Sequence, residues 1–370
     1  MSNLEQVLID NSLDYHDAEI LVEGIPVGIN QGFLDERNSF FNEFFKQEKG
    51  CLEKDRKPNY LLSDLLPFGK VGYEAFLVFL SYLYIGKLYP PLLEVSTCVD
   101  NQCAHDACGP AIDFAVDLMY ASSIFNVPEL VVFFQRRLAN FVDMAYVEDV
   151  SPIFLAAVQC LSVELEYKCV DRISRSDNMA MEKAPPNVLP ERTELSLKEP
   201  MHDDKQISDA VRRIRKALDL DDVDLVRLFL IESDVTSVNA NSLHHVVAYS
   251  DCKVVSDVLD LGLVDANLRN SQGYTALHIA AIRREPSIIV SLLGKGACVS
   301  DLTLDGRSAL NICQRLTRKK DYHAKIDLSQ ETNKDRLCID ILEGAMRRNL
   351  LAGDAFTSQD AVDDTFDLNL

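Results

Sequence analysis

Along the first third of the 370-residue chain, apolar and polar positions alternate and then change period. In AEILVEGIPVGI, Ile20 and Val22 share one face and Glu23-Gly24 makes a turn. Ile25, Val27 and Ile29 then resume the alternation, which predicts a short β-hairpin. SFFNEFFKQ places Phe40, Phe41, Phe44 and Phe45 at helical spacing. YEAFLVFLSYLYIGKLYPP predicts an apolar helix that passes into an extended piece before Pro90-Pro91. AIDFAVDLMYASSIFNVPELVVFFQRRLANFV divides into two helices at NVP. Pro128 takes the first position of the second, where a missing N–H costs nothing. EDVSPIFLAAVQCL and ELEYKCVDRISRS add a helical pair that runs to about Ser176.

The pattern then lapses. EKAPPNVLPERTELSLKEPMHDDK is proline-rich, charged and weakly periodic, as an interdomain linker would be. Beyond it the chain repeats. GYTALHIAAIRREPSIIVSLLGKGACVSDLTLD begins at Gly273, and GRSALNIC restarts at Gly306, a period of 33 residues. One unit earlier, Leu243-His244 stands where the next unit has Leu277-His278, and IRKALDLDDVDLVRLFLIESDVTSVNA carries a degraded helix pair before that. A T-x-L-H motif, a short helix and a second helix ending in Gly form the ankyrin signature. About four units are predicted, the last interrupted by RKKDYHAKIDLSQETNKD before RLCIDILEGAM. The motif histidine of such repeats bonds the backbone of neighbouring turns, so His244, His245 and His278 are expected to be structural.

Charge and composition narrow the function. With 37 basic against 58 acidic residues, the formal charge of -21 repels a phosphate backbone, so no direct nucleic-acid contact is expected. RRIRK (Arg212 to Lys216) and RKK (Arg318 to Lys320) sit beside helix-like segments and fit solvated faces. The most apolar stretch, Phe76 to Leu88, is shorter than the roughly 20 residues of a bilayer span. MSNLEQVLIDNSLDYHD has neither the basic start nor the apolar core of a signal peptide, so a cytosolic or nuclear protein is expected, with no membrane partner. No phosphate loop, nucleophile elbow or carboxylate pair is present, which leaves an enzyme little to stand on.

Chemistry concentrates in STCVDNQCAHDACGPA, which holds three of the ten cysteines. Cys98, Cys103, His105 and Cys108 give C-x4-C-x-H-x2-C, a ligand set that suits tetrahedral zinc. The single residue between Cys103 and His105 rules out convergence from a regular helix, so a loop is required, and Asp100-Asn101 is turn-prone. Four protein ligands close the coordination shell, so Zn2+ here would be structural. Ordinary loop thiols, or a thiol pair awaiting oxidation, are the alternatives in a reducing compartment. Cys160, Cys169, Cys252, Cys298, Cys313 and Cys338 fall in helices or at their ends and fit buried small hydrophobes.

The N-terminal third resembles the BTB/POZ fold, a dimerising α+β domain, on DAEILVEGIPVGI, FLDERNSFFNEFF and YASSIFNVPELVVFFQRRL. Asn30 departs from it, standing where that fold usually carries a histidine. From Asp14 to Met346 the chain resembles the plant NPR family (non-expressor of pathogenesis-related genes). The telling segments are YPPLLEVSTCVDNQCAHDACGPAIDFAVDLMYAS and DANLRNSQGYTALHIAAIRREPSIIVSLLGKGACVSDLTLDGRSALNI, with VRRIRKALDLDDVDLVRLFL in support.

The resemblance implies an α+β BTB/POZ domain over 15–145 with a zinc-finger insert at 96–110. It is preceded by a tail over 1–14 and followed by an all-α extension over 146–178. A linker over 179–208, an ankyrin solenoid over 209–346 and an acidic tail over 347–370 complete the expected order. The family's insert has the same spacing, so Cys98, Cys103, His105 and Cys108 carry over as zinc ligands. Also implied are a transcriptional co-regulator of salicylic-acid-linked defence, a homodimer through BTB, TGA-type bZIP factors bound through the ankyrin repeats, and residence in nucleus and cytoplasm. The alternative is a substrate adaptor of a cullin-type ubiquitin ligase. FDLNL (Phe366 to Leu370) is similar to a motif that docks plant co-repressors. Full-length members add a helical C-terminal region with the salicylate pocket. The chain ends soon after RLCIDILEGAMRRNL, so that region is expected to be essentially absent, and no salicylate contacts carry over.

Overall fold

A computed structural model of the chain describes residues 16–48, 58–88, 93–175, 236–270, 273–323 and 333–357, with isolated positions between 213 and 228. Internal contacts divide the chain into two units, one of Met1–Cys98 with Gln102–Val188, the other of Val99–Asn101 with Leu189–Leu370. The predicted linker, the first repeat's helices, the two tails and FDLNL lie wholly or mostly outside the described residues.

The first unit opens with the predicted hairpin. Strand β1 (Ala18–Val22) pairs antiparallel with β2 (Ile25–Ile29), Ile20 opposite Val27. Glu23 and Gly24, at φ 51° and 79°, make the two-residue turn whose positive φ values match the strands' twist. Ala18, Ile20, Val22, Val27 and Ile29 face the core. Ile25, expected on the same face, is exposed because it opens β2 beside the turn. A third strand, β3 (Asn59–Leu61), lies parallel to β1, giving the order β2-β1-β3. Parallel pairing needs a crossover, which contains α1 (Gln31–Arg37) and α2 (Ser39–Glu48).

Two asparagines organise that crossover. Asn30 caps α1, its Oδ1 accepting the Phe33 N–H at 2.9 Å, while its own N–H donates to the Tyr84 hydroxyl at 2.9 Å. Buried Asn38 separates the two helices. Its Oδ1 accepts the Phe41 N–H at 3.1 Å, and its Nδ2 donates to the Phe125 carbonyl at 2.7 Å. Phe125 is the hub of an aromatic core, with the rings of Phe40, Phe41, Phe76 and Phe79 at centroid distances of 5.0, 5.3, 6.2 and 5.2 Å. After β3 come the short α3 (Leu62–Leu65) and then α4 (Tyr73–Ile85), which ends on Gly86 in the left-handed conformation with its N–H on the Tyr82 carbonyl. Next are α5 (Leu93–Ser96), α6 (Gly109–Ile124) and α7 (Pro128–Met144), the last with Pro128 in its first turn as expected. The predicted pair follows as α8 (Val150–Gln159) and α9 (Val163–Ser174).

The second unit is helical among its described residues: α10 (Thr236–Tyr249), α11 (Cys252–Asp260), α12 (Ala276–Arg283), α13 (Pro286–Gly294), α14 (Ala309–Leu316), α15 (Lys319–His323) and α16 (Lys334–Thr357). The 33-residue period is written into its turns. Asn270 donates to the Tyr274 carbonyl and accepts the Gly273 N–H; one period on, Thr303 donates to the Arg307 carbonyl and accepts the Gly306 N–H. Both glycines sit at φ 76°. Each turn feeds a capping box, Thr275 with His278 on α12 and Ser308 with Asn311 on α14. Helix α16 continues past position 347 to Thr357. Among the described residues no helix is long and apolar enough to cross a membrane.

Candidate metal centre

Between α5 and α6 the chain turns at Asn101-Gln102 and forms no helix until Gly109, as the C-x-H spacing requires. His105 adopts φ 61°, the left-handed region, which reverses the backbone between Cys103 and Cys108. The four ligand atoms of Cys98, Cys103, His105 and Cys108 lie within 4.8 Å of one another. Cys98 Sγ is 3.4 Å from His105 Nδ1, and the His105 N–H donates to Cys103 Sγ at 3.3 Å. Cys98 and Cys108 are buried, while Cys103 and His105 are partly exposed.

Local sequence explains the placement. Cys108 is the N-cap of α6, and its carbonyl accepts from Ala111 and Ile112. Its thiol therefore lies at the positive end of a 16-residue helix. The hydrogen bond from Cys98, aided by the Ala111 N–H and His105, outweighs burial and holds the Cys108 thiol down to about 5. A thiolate at neutral pH is what a metal ligand must be. Three sulfurs and one imidazole nitrogen at these separations fit tetrahedral Zn2+, whose ligand atoms stand about 3.5–4 Å apart. A cavity of about 270 Å³, lined by Leu93, Phe114, Leu118 and Phe134, borders the centre, and His105 forms part of its wall. Nothing in the linear sequence marked that cavity, because its walls come from separate helices.

The other singled-out residues scatter. None of the nine described cysteines is in a disulfide. Cys169, Cys313 and Cys338 are buried as expected, but Cys160, Cys252 and Cys298 are only partly so. Cys160 ends α8, Cys252 opens α11 and Cys298 lies in the loop after α13, so helix ends and a loop leave them half in solvent.

His278 does bond neighbouring backbone. Its Nδ1 accepts the Thr275 N–H at 3.0 Å, which puts the proton on Nε2, 3.1 Å from the Asp301 carbonyl. Burial lowers its pKa. His244 faces the Leu268 carbonyl in the matching position without closing a hydrogen bond of standard geometry, and burial pushes its pKa down to about 4. His245 instead packs on Tyr249, ring centroids 4.8 Å apart. The buried Asn38 and the Phe125 hub were not singled out by sequence, although an asparagine before a helix is a capping signal.

Comparison with known proteins joins the two units. The ankyrin-repeat family model matches residues 272–303, and the model described as "NPR1/NIM1 like defence protein C terminal" matches residues 314–370. Over 384 aligned residues covering 100% of the chain, it is 54% identical to the "BTB/POZ domain and ankyrin repeat-containing protein NPR1" of Malus hupehensis. Along its whole length the chain is homologous to NPR proteins. It is also 52% identical to "Regulatory protein NPR3" and "Regulatory protein NPR4" of Arabidopsis thaliana, over 94% and 100% of its length. It spans 65%, 61% and 65% of the lengths of these three relatives. The NPR C-terminal model thus reaches into the stretch expected to hold only the end of the last repeat and a tail.

Proposed function

We propose that this chain is a scaffold-type transcriptional co-regulator of salicylic-acid-linked plant defence. The observation that carries the proposal is its identity, along the whole chain, to proteins named as BTB/POZ–ankyrin and regulatory proteins. In this proposal the first unit is a BTB/POZ domain that homodimerises by helix packing. Cys98, Cys103, His105 and Cys108 hold one structural Zn2+ that fixes the loop between α5 and α6 to the start of α6. The ankyrin repeats bind a TGA-type bZIP factor, and the protein works in nucleus and cytoplasm. Two ankyrin arms presented to a dimeric factor raise the effective concentration of each contact, so weak single contacts add to a firm one.

Three measurements test it. Metal analysis of the purified wild type should find about one zinc per chain, lost in Cys103→Ser; a metal-free wild type would end the zinc assignment. Light scattering should show a dimer that persists when the chain is cut before Asp209, and a monomeric 1–200 fragment contradicts dimerisation through the first unit. Pull-downs with the 1–200 and 209–370 fragments should recover a TGA factor on the second. Capture of a cullin by the first, with no TGA binding by the second, would move the assignment to a ubiquitin-ligase adaptor.

A further inference from the structure

The cavity beside the metal centre has no part in the proposed function. Its volume of about 270 Å³ is the share of about nine water-sized groups. Ala111, Phe114, Ala115 and Leu118 recur at helical spacing along one face of α6 and form one wall. Phe134 of α7 and Leu93 of α5 complete the apolar lining. Leu93 is 74% exposed, so that lining continues out to solvent.

The polar groups of the lining are mostly committed elsewhere. Ser96 and Thr97 are already engaged, Thr97 by donating its hydroxyl to the Leu93 carbonyl. His105 belongs to the metal centre, its Nδ1 turned to Cys98 Sγ. No carboxylate is among the lining residues. Arg137 of α7 is the remaining charge. It is exposed, its guanidinium lies 5.4 Å from the centroid of the Phe141 ring one turn along α7, and it forms no ion pair among the described residues.

We infer that this cavity binds a medium-chain aliphatic monocarboxylate of about eight carbons, its chain against α6 and its carboxylate on Arg137. The inference goes beyond the proposed function and does not depend on it. One cation beside an apolar cavity, with no acid opposite, suits a single negative charge on an apolar body. A guanidinium fork takes both oxygens of a carboxylate at once. The ring paired with Phe134 is that of Phe133, and Phe114 pairs with no ring among the described residues. The walls therefore offer no slot between stacked rings for a flat aromatic, and suit a flexible chain. Burial of each methylene in such a cavity strengthens binding about fourfold.

The test titrates the full chain with linear carboxylates by calorimetry at fixed ionic strength. Affinity should rise about fourfold per methylene from butyrate to octanoate and level off beyond decanoate, when the cavity is full. A formal charge of -21 repels anions in general, so octanoate binding that needs Arg137 is not an effect of bulk charge. Arg137→Gln, at an exposed position, should weaken octanoate about tenfold or more and leave 1-octanol unchanged. Ala115→Leu, which puts a larger side chain into the cavity, should weaken both. If Ala115→Leu fails to fold, Arg137→Gln and the chain-length series decide the matter. No octanoate binding at millimolar concentration, equal octanoate affinity in Arg137→Gln, affinity that climbs unbroken through dodecanoate, or benzoate bound as tightly as octanoate would each overturn the inference.

Discussion

Gly273 and Gly306 occupy the same place in successive turns, at the same φ of 76°, yet they differ in what surrounds them. A Cβ on Gly306 meets nothing within 4 Å, whereas one on Gly273 would stand 2.8 Å from the Leu304 backbone nitrogen and 2.9 Å from Leu304 Cγ. Gly306→Ala therefore suffers only the left-handed backbone penalty, about 1–2 kcal/mol. Gly273→Ala suffers that penalty and must also displace the backbone of the next turn, an overpacking cost of roughly 1–3 kcal/mol more. The expected loss is about 2–5 kcal/mol against 1–2 kcal/mol for its twin. Native-state hydrogen exchange of the α12 and α13 amides in the full chain reads this unit apart from the other. Equal losses, or a larger one for Gly306→Ala, would refute the claim that close approach of neighbouring turns makes Gly273 indispensable.

Two further outcomes follow from buried polar groups. His244 has its pKa depressed from 6.5 to about 4, so on acidification the unfolded chain takes up the proton first. Its contribution is whole above pH 6.5 and is lost as pH falls towards 4, about 3 kcal/mol in total. The lowered pKa of His278 acts in the same direction. Melts followed by circular dichroism at pH 7.5, 6 and 5 should show this slope in the wild type and a shallower one in His244→Leu; identical slopes would contradict the assignment. Asn38→Ala removes the α2 cap and strands the buried Phe125 carbonyl, for an expected loss of about 2–4 kcal/mol in urea unfolding. Asn38→Asp keeps the capping acceptor but cannot donate to that carbonyl, so recovery of full stability in this variant would show that the cap alone matters.

Periodicity along the chain was enough to place the hairpin, the break at Pro128 and the 33-residue repeat, because each is a local rule: alternation in a strand, a proline's missing N–H, a turn with its capping box. The spacing of Cys98, Cys103, His105 and Cys108 likewise demanded a loop, because a one-residue gap cannot converge on a helix. Tertiary structure alone decided what depends on residues far apart. It set Phe125 at the centre of four rings, gave Asn38 a carbonyl partner 87 residues away, and exposed Ile25 despite its place in the alternation. It distinguished Gly273 from Gly306, which share a motif and a backbone angle but not a neighbour. It also buried Cys313 and Cys338 in one core, since helix packing, and not their separation in sequence, sets which thiols are shielded from solvent.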